Sequence, residues 1–513
     1  MPGQHVIGID VGTQSLRVMV FDLQGTPVGS ASKPYPTHYD RVSWAEQEPN
    51  DWWEAAVECT RRAMAEAGLG PTDVVGLSLD STSCTVLPVK RNGMPLRRAL
   101  LWMDVRAVEQ AQRVTRTKHE RLKYVSWVES PEWMLPKAMW LKEHQRTIYD
   151  QADLVIECQD WLLHRLTGRW VASLNQATCK WNYAAPDGGW PTDLLKQLDL
   201  AELVGKWPEE VLPLGAPVGT LTREAAEQLG LSTAVVVAQG GIDAYTAMLG
   251  LGVTQPGQMA LVMGTSTCHM ALCEAGLFET HVWGPYPDAL LPGTWILEGG
   301  QTTTGAIVTW FRDQFGETAE REAAERGVEV WQVLDEAAAT VPAGCEGLVL
   351  LDYFQGNRTP LRDPKARGSV VGLSLKHTSA HLFRAIYEGT AFGTRHILAD
   401  LAAGGFRATG LYVCGGGSKS ELWLQIHADV CGLPLYLTKV PDATCLGTAV
   451  CAAAGAGSYP SLREAAANMV HITRKIEPNP AQAEVYDFMY RRYTDLYPAL
   501  RDTMHDLADH MSG

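Results

Sequence analysis

Residues 6–22 read VIGIDVGTQSLRVMVFD and predict a strand, a tight turn and a second strand. The turn, residues 12–15 (GTQS), follows Asp10 at the end of the first strand. Glycine lets a backbone approach an anion closely, and the exposed N–H groups of such a turn bind phosphate oxygens. A carboxylate at the strand end is suited to Mg²⁺ beside that phosphate. An ordinary hairpin with a glycine turn and a capping aspartate explains the same residues equally well.

The size and charge of the chain limit what such a site can serve. A chain of 513 residues is too long for one hydrophobic core, so at least two domains are expected. A hydrophobic fraction of 46% is typical of a folded globular protein. The 43 basic and 58 acidic residues give a net charge of −15, which argues against nucleic acid or an anionic membrane as the main partner. Any phosphate site must therefore be a local feature.

The cysteines and the N-terminal residues predict a cytoplasmic location. Eleven cysteines are scattered without a C-x-x-C pair, which is typical of a reducing compartment and of neither a zinc module nor a disulfide framework. The first residues, MPGQHVIGID, lack the basic and apolar segments of a secretion signal. No apolar run is long enough to span a bilayer.

The remaining pattern predicts alternating strands and helices. A helix is expected over residues 51–67, with Asn50 as its N-cap. Residues 108–194 are expected to be mostly helical, and residues 215–227 to form a linker followed by a short helix. Residues 294–297 predict a strand that ends in the turn EGGQ.

The opening motif occurs a second time about half a chain later. Residues 258–263 predict a strand, residues 264–267 (GTST) a turn, and residues 269–273 the returning strand. The turns GTQS and GTST together indicate a duplicated domain. Two such cradles facing each other across a cleft can hold successive phosphates of one nucleotide.

A third glycine-rich segment, residues 415–420 (GGGSKS), separates a predicted strand over residues 411–414 from a predicted helix over residues 421–430. This order is typical of nucleotide binding, because the N-terminal end of a helix favours negative charge. No G-x-x-x-x-G-K-[ST] or G-x-G-x-x-G fingerprint opens the chain, so neither the P-loop class nor the dinucleotide class fits.

These motifs together resemble those of the FGGY carbohydrate kinases, a family of the actin-like ATPase superfamily. The resemblance covers nearly the whole chain and is carried by residues 10–15, 240–243 (GGID), 264–267, 298–305 and 415–420. Within the family the chain is most similar to the ribulokinase branch, through LDSTSCT (79–85), LWMDVRA (101–107), EWMLPKAMW (132–140) and NQATCK (175–180). The resemblance implies an α/β fold of two ribonuclease-H-like domains around a central cleft, over residues 1–252 and 253–513. It also implies sugar binding in the first domain, MgATP as the donor, and closure of the domains on the substrate.

The resemblance also implies roles for individual residues. Phosphoryl transfer requires a group that takes the proton of the attacking hydroxyl, and Asp243 matches the family's base. Asp10 is implied to hold Mg²⁺ through water. Ser83, Lys180 and Glu298 are implied to bind the sugar together with Asp243. Phosphate and adenosine contacts are implied for Thr13, Gln14, Ser15, Arg17, Gly264, Thr265, Gly305, Gly415, Gly416, Gly417 and Ser418.

Several of these residues have an ordinary structural interpretation as well. Asp243 fits a helix N-cap, Arg17 a charge on an exposed strand face, Lys180 a solvated helix lysine and Glu298 a turn residue. Three tryptophans in the ribulokinase-like segments fit an aromatic core better than a sugar contact. They are Trp102, Trp133 and Trp140.

The sugar is not fixed by the sequence. Ser83 stands where the L-ribulokinase pattern has a smaller residue, so D-ribulose, L-ribulose and D-xylulose all stay open, with ribulose favoured and C5 the expected phosphorylation site. Glycerol is disfavoured, because Ser83 and Cys84 stand where glycerol kinases have an arginine–glutamate pair. Two other functions stay open: a xylulose or other polyol kinase, and an actin-like nucleotide-binding ATPase or sensor without sugar transfer. The expected partners are the sugar and ATP, with a homodimer left open.

Overall fold

The computed structural model describes residues 4–511, which form two large β-sheets, three smaller sheets and helices packed on their faces. Within that range, no helix combines the length and the apolar character needed to cross a membrane. The strands are β1 (His5–Val11), β2 (Ser15–Asp22), β3 (Pro27–Pro34), β4 (Glu46–Gln47), β5 (Val74–Ser81), β6 (Val86–Val89), β7 (Ala99–Leu100), β8 (Leu154–Glu157), β9 (Val171–Ser173), β10 (Glu210–Leu212), β11 (Pro217–Thr220), β12 (Val236–Ala238), β13 (Gln258–Met263), β14 (Thr267–Cys273), β15 (Trp283–Pro287), β16 (Trp295–Gln301), β17 (Val349–Leu351), β18 (Ser369–Val371), β19 (Gly410–Cys414), β20 (Leu435–Thr438) and β21 (Ile472–Ile476).

The helices separate and flank these strands. They are α1 (Pro49–Ala67), α2 (Val108–Arg116), α3 (Met134–His144), α4 (Arg146–Gln151), α5 (Cys158–Thr167), α6 (Leu174–Lys180), α7 (Thr192–Gln197), α8 (Arg223–Leu229), α9 (Asp243–Gly250), α10 (Gly305–Phe315), α11 (Glu317–Arg326), α12 (Val330–Ala339), α13 (Ser379–Ala403), α14 (Glu421–Cys431), α15 (Ala443–Gly455), α16 (Leu462–Met469) and α17 (Ala483–Met511).

The two large sheets repeat one topology. The first has the order β11-β12-β5-β1-β2-β3 and the second β15-β16-β14-β13-β19-β20-β21. In each, an antiparallel hairpin and a third antiparallel strand (β1–β3; β13, β14 and β16) continue into two parallel strands (β5 and β12; β19 and β20). This arrangement confirms the predicted pair of ribonuclease-H-like folds, and it explains why the turns GTQS and GTST recur.

Helix α15 connects the two halves of the chain. It lies in the second half of the sequence but packs against β1, β5 and α9 of the first half. Glycines permit this close approach: a Cβ on Gly447 would lie 1.7 Å from the Thr246 carbonyl oxygen, and one on Gly8 would lie 2.2 Å from the Cys445 carbonyl oxygen. Helix α15 thus packs on the first sheet although it follows residue 253 in sequence. The domain boundary between residues 252 and 253 stays a prediction.

One helix start is placed wrongly, and two further predictions hold in part. Residues 108–194 are mostly helical and α8 is the short helix expected after residue 215, but both segments also contain strands. Helix α1 begins at Pro49 with Glu48 at its N-cap, so Asn50 lies in the first turn; proline at the first helical position marks the start. Residues 108–194 contain β8 and β9, which are too short for an alternating pattern to distinguish them from helix. Residues 215–227 include β11, an edge strand that tolerates its initial proline.

The strand predicted over residues 294–297 is longer than expected. Strand β16 continues through Glu298 to Gln301, so Glu298 lies within a strand and not in a turn. The glycine pair 299–300 therefore does not form the predicted turn. Gly299 instead permits close packing on the strand, since a Cβ there would lie 3.1 Å from Ile397 Cγ2 and 3.2 Å from Val282 Cγ1.

Candidate active site

The first turn projects from the end of the β1–β2 hairpin. The Gly12 N–H donates to the Ser15 carbonyl at 3.1 Å, which closes the turn. Two side chains hold the oxygens of Thr13 in this turn. Gln47 Nε2 donates to the Thr13 carbonyl at 2.7 Å, and Trp102 Nε1 donates to Thr13 Oγ1 at 2.9 Å. Trp102 thus supports this turn. Gln14 is exposed at the tip of the turn, whose base is fixed by these contacts.

The second turn supports the start of α10. The N–H groups of Gly305 and Ala306 donate to the carbonyls of Gly264 and Thr265, at 3.2 and 3.0 Å. A Cβ on Gly305 would lie 2.4 Å from the Gly264 oxygen, so only glycine permits this approach. The sequence-predicted residues Gly264, Thr265 and Gly305 are therefore in contact at one end of the second sheet.

A group of carboxylates lies where β1, β5 and α15 meet. Asp10 and Asp80 are register partners on parallel strands, and a carboxylate oxygen of Asp10 lies within 4.8 Å of one from Asp442 at the start of α15. Burial, together with the charges of Asp243 and Asp442, raises the pKa of Asp10 to about 7. Burial and the charge of Asp10 also raise the pKa of Asp80 well above its ordinary value. Thr246 and Thr448 donate hydroxyl hydrogens to Asp80.

The chemistry of this group fits a hard divalent cation. Carboxylate oxygens are the ligands that Mg²⁺ prefers, and a cation would relieve the repulsion between Asp10 and Asp442. The third member of the cluster, the Cys445 thiol, is a poor magnesium ligand, and burial raises its pKa well above the ordinary value. Arg17 also forms an ion pair with Asp442. This pair places Arg17, on β2, beside Asp10.

Asp243 is the first residue of α9 and follows a Gly–Gly pair. A Cβ on Gly240 would lie 1.9 Å from the Leu79 carbonyl oxygen, and one on Gly241 would lie 2.7 Å from Asn175 Oδ1, so the loop is packed directly onto β5 and α6. Asp243 Oδ1 accepts from the Ala244 N–H at 2.6 Å. Burial raises the pKa of Asp243 to about 6 against that hydrogen bond, and the charge of Glu298 contributes to the increase.

Lys180, Tyr245 and Glu298 converge across the cleft. Lys180 Nζ lies 3.2 Å from Glu298 Oε2, and the Tyr245 hydroxyl donates to the same oxygen at 2.9 Å. Burial alone would raise the pKa of Glu298, but Lys180 and Tyr245 hold that pKa below its ordinary value. Burial alone would lower the pKa of Lys180, but Glu298 raises it well above the ordinary value. Both groups are therefore charged, and they join the two halves of the chain.

Ser83 lies in the loop after β5, near this pair. The loop is anchored by Lys137, whose buried Nζ donates to the Cys84 carbonyl at 2.8 Å, and by Glu157, which accepts from the Cys84 N–H at 2.8 Å. Cys84 has a left-handed backbone (φ 62°). The Cys84 thiol lies close enough to Lys180 to affect its pKa, after burial and the charges of Glu298 and Tyr286. Trp133 and Trp140 are buried, as expected for core residues.

A large cavity of about 1700 Å³ adjoins the second turn. It is lined by Gly264, Thr265 and Gly305, and also by Gly416 and Gly417 of the third glycine-rich segment. Gly415 and Ser418 do not belong to the lining. Gly415 has a φ of 94° and would place a Cβ 2.5 Å from the Met263 carbonyl oxygen, and Ser418 Oγ donates to the Gly415 carbonyl at 2.7 Å, so both residues shape the loop that carries Gly416 and Gly417.

Sequence reasoning missed several residues of this region. Tyr387, Asp335 and Trp331 line the cavity from α13 and α12, which carry no glycine-rich signal, and Trp310 lines it from α10, which begins at the predicted Gly305. The Tyr387 hydroxyl donates to Asp335 Oδ1 at 2.8 Å. Other missed residues are Tyr245, Asp80 and Asp442. The capping pattern before α15 would have found Asp442, whose side chain accepts from the Cys445 N–H.

The site combines two glycine-rich turns, a group of carboxylates and a lysine–glutamate pair, and these groups are suited to phosphoryl transfer. Comparisons with known proteins identify the class. The pattern described as "FGGY family of carbohydrate kinases, N-terminal domain" matches residues 5–250, and the corresponding C-terminal domain matches residues 259–456. The chain therefore belongs to the FGGY family of carbohydrate kinases.

Full-length relatives agree with this assignment. The chain is 33% identical to a ribulokinase of Geobacillus thermodenitrificans, over 97% of this chain and 94% of the relative. It is also 33% identical to the human FGGY carbohydrate kinase domain-containing protein, over 96% of each chain. Among solved structures, the xylulose kinase from Rhodospirillum rubrum is similar, with a TM-score of 0.85, 29% identity, and coverage of 98% of this chain and 100% of the other. The protein is thus a carbohydrate kinase.

Proposed function

We propose that the protein transfers the γ-phosphoryl group of ATP to a ketopentose, with ribulose as the favoured sugar and C5 as the phosphorylated position. One observation carries this proposal. Lys180, Tyr245 and Asp243 from the first half of the chain meet Glu298 from the second half, and Glu298 lies on β16, seven residues before Gly305 of the large cavity. The relatives named ribulokinase, at 33% identity over nearly full length, support the choice of sugar.

Asp243 is the proposed base. Its pKa of about 6 leaves it ionised at neutral pH but close enough to neutrality to accept a proton, which suits a general base. The loose transition state of phosphoryl transfer needs positioning more than a strong base, and the packing of Gly240 and Gly241 supplies a rigid mount. The sugar hydroxyl gives its proton to Asp243 as its oxygen joins the γ-phosphorus and ADP leaves.

Lys180 and Glu298 are proposed to bind sugar hydroxyls, and Ser83 to contact the ketose. A charged pair can donate to and accept from neighbouring hydroxyls, and a polar pocket rejects sugars that leave those groups unpaired. Tyr245 holds Glu298 in place through its hydroxyl. Lys180 and Glu298 contact each other directly, and a bound sugar is proposed to replace part of that contact.

The nucleotide is proposed to lie between the two turns. Thr13, Gln14, Ser15 and Arg17 approach its phosphates from the first sheet, and Gly264 and Thr265 from the second. Gly305, Gly416 and Gly417 line the adenosine pocket, with Gly415 and Ser418 shaping its loop. Asp10, with Asp442 beside it, is the proposed holder of Mg²⁺, which when bound neutralises phosphate charge.

A xylulose kinase is the second candidate. The structural similarity to the xylulose kinase of Rhodospirillum rubrum, at 29% identity, favours it, and the Ser83 side chain leaves the choice between ketopentoses open. An ATPase or sensor without sugar transfer is less favoured. ATP hydrolysis alone does not require the Lys180–Glu298 pair, which lies beside Asp243.

A sugar panel tests the proposal. ADP release is measured with D-ribulose, L-ribulose, D-xylulose and glycerol, each over a concentration series, with a no-sugar baseline. We expect the highest kcat/KM with a ribulose enantiomer and near-baseline rates with glycerol. The highest value with D-xylulose would establish the second candidate, and rates independent of sugar would contradict sugar transfer altogether.

A further inference from the structure

Arg358 is a partly buried arginine in the cleft to which no role has been given. Across residues 4–511, its guanidinium has no hydrogen-bond acceptor and no carboxylate partner. A guanidinium carries five N–H donors. None of the Arg358 nitrogens is fully buried, so these unpaired donors are open to a ligand. Arg362, four residues later, shows the usual pattern, because it donates to the carbonyls of His281, Val282 and Ser126.

The position of Arg358 is fixed by its neighbour Thr359. The Thr359 hydroxyl accepts from the Gly300 N–H at 2.8 Å and donates to the Gly300 carbonyl at 3.0 Å. The loop is closed by paired backbone hydrogen bonds between Asn357 and Asp363, at 2.8 and 2.9 Å. The arginine therefore projects from a rigid loop, so its free donors do not result from a mobile segment.

The guanidinium lies over Gly300 of β16. A Cβ on Gly300 would meet Arg358 Cδ at 3.4 Å and Nη1 at 3.8 Å, and the Thr267 carbonyl oxygen at 3.4 Å. The arginine side chain therefore lies directly over Gly300, at ordinary van der Waals distance from the strand. Thr267 is the last residue of the GTST turn, so Arg358 lies beside the turn proposed to hold phosphate.

Arg358 lies over the part of β16 that is between residues assigned to the two substrates. Glu298, a proposed sugar ligand, precedes Gly300 by two residues. Gly305, which lines the large cavity proposed to hold the nucleotide, follows Gly300 by five residues. Burial raises the pKa of Glu298, but Lys180 and Tyr245, and after them the charge of Arg358, hold that pKa below its ordinary value. Arg17 is also proposed to approach the phosphates, but its guanidinium is paired with Asp442, whereas that of Arg358 has no protein partner among the described residues.

We propose that Arg358 binds the γ-phosphoryl group while it passes from the nucleotide to the sugar hydroxyl. This inference rests on the proposed function. In the step, the bond from the γ-phosphorus to the β–γ bridging oxygen breaks, and the bond from that phosphorus to the sugar oxygen forms. The sugar proton goes to Asp243, and ADP leaves with the bridging oxygen. Arg358 donates hydrogen bonds to the non-bridging oxygens, where charge is concentrated.

The test compares Arg358→Met and Arg358→Lys with Arg367→Met. Arg367 is an exposed arginine nearby that donates only to the carbonyls of Pro364 and Ala366, so its replacement is the matched control. Steady-state kinetics use the ketopentose that the wild-type enzyme turns over fastest. Calorimetry measures the binding of MgADP with and without aluminium fluoride, which mimics the phosphoryl group in transfer. Thermal melting checks the fold of each variant.

Loss of a transition-state arginine costs about 10³-fold or more in kcat, so we expect that decrease for Arg358→Met, with the KM for sugar and the affinity for MgADP nearly unchanged. The gain in affinity from aluminium fluoride should disappear, and Arg358→Lys should restore part of both. A raised sugar KM with normal kcat would instead make Arg358 a sugar ligand and overturn the proposal, as would wild-type values throughout.

If Arg358→Met does not fold, Arg358→Lys decides alone, since it keeps the charge but loses the forked geometry. Failure of the proposed function is detected separately, by the wild-type sugar panel. If no sugar supports turnover, the aluminium fluoride measurement with MgADP still tests Arg358: an undiminished gain in affinity in Arg358→Met would overturn the inference.

Discussion

At the scale of single residues, the pKa values of the carboxylates depend on how far neighbouring charges and hydrogen bonds oppose the effect of burial. Asp243 is ionised at neutral pH, but its burial raises its pKa to about 6. Glu298 is equally enclosed, yet Lys180 and Tyr245 keep its pKa low. Two carboxylates in one cleft are thus adjusted to different tasks: one can accept a proton, and the other stays charged for binding.

The pKa of Asp243 predicts the acid side of the pH profile. The base must be deprotonated to act, so kcat should fall about tenfold for each pH unit below roughly 6 and level off above that value. The measurement is kcat at saturating ATP and sugar from pH 4.5 to 8, in buffers of constant ionic strength. Enzyme returned from each pH to pH 7.5 must recover full activity. A flat profile down to pH 4.5 would exclude a base with this pKa.

The Lys180–Glu298 pair predicts a separation of the two substrates in kinetics. Lys180→Met removes a sugar ligand and leaves Glu298 buried without its partner, a loss of about 2–5 kcal/mol in binding. The sugar KM should therefore rise roughly 30-fold or more, while the ATP KM changes little. Lys196→Met, on α7 away from the cleft, is the control. Equal increases in both KM values would place Lys180 outside the sugar pocket.

At the scale of elements, glycines set the distance between loops and helices. Gly305→Ala would place its Cβ 2.4 Å from the Gly264 oxygen and displace α10 from the GTST turn. Overpacking of this kind costs about 1–3 kcal/mol, so the ATP KM should rise roughly tenfold with a smaller effect on the sugar KM. Gly205→Ala, which meets nothing within 4 Å, should behave as wild type. An unchanged ATP KM in Gly305→Ala would remove this junction from the nucleotide site.

Some elements could be predicted from the sequence and others could not. The hairpin turns, the Gly–Gly–x–Asp segment and the GGG loop were predictable, because glycine and hydroxyl residues at strand ends are local signals. Strand β11 and the extension of β16 were not, since edge pairing and the packing of Thr359 against Gly299 and Gly300 depend on distant residues. Tyr245, Arg358 and Asp335 carry no local pattern, and only the folded chain brings them to the cleft.

At the scale of the whole molecule, two sheets of one topology face a shared site, and α15 connects them. Closure is therefore expected to be a movement of the two halves, with Lys180 and Glu298 on opposite sides. Small-angle scattering with ATP and sugar together should give a smaller radius of gyration than the free protein. Glycerol in place of the ketopentose is the control. Identical scattering curves with and without substrates would contradict closure.

The central claim is that Asp243 takes the proton of a sugar hydroxyl while the γ-phosphoryl group of ATP crosses the cleft. The most direct measurement is ³¹P nuclear magnetic resonance of the products formed from ATP and ribulose by the wild-type enzyme and by Asp243→Asn. The account predicts a sugar phosphate ester with equimolar ADP for the wild type, and a rate lower by about 10³-fold for Asp243→Asn with intact MgADP binding. Inorganic phosphate in place of the ester, or an undiminished rate in the variant, would contradict it.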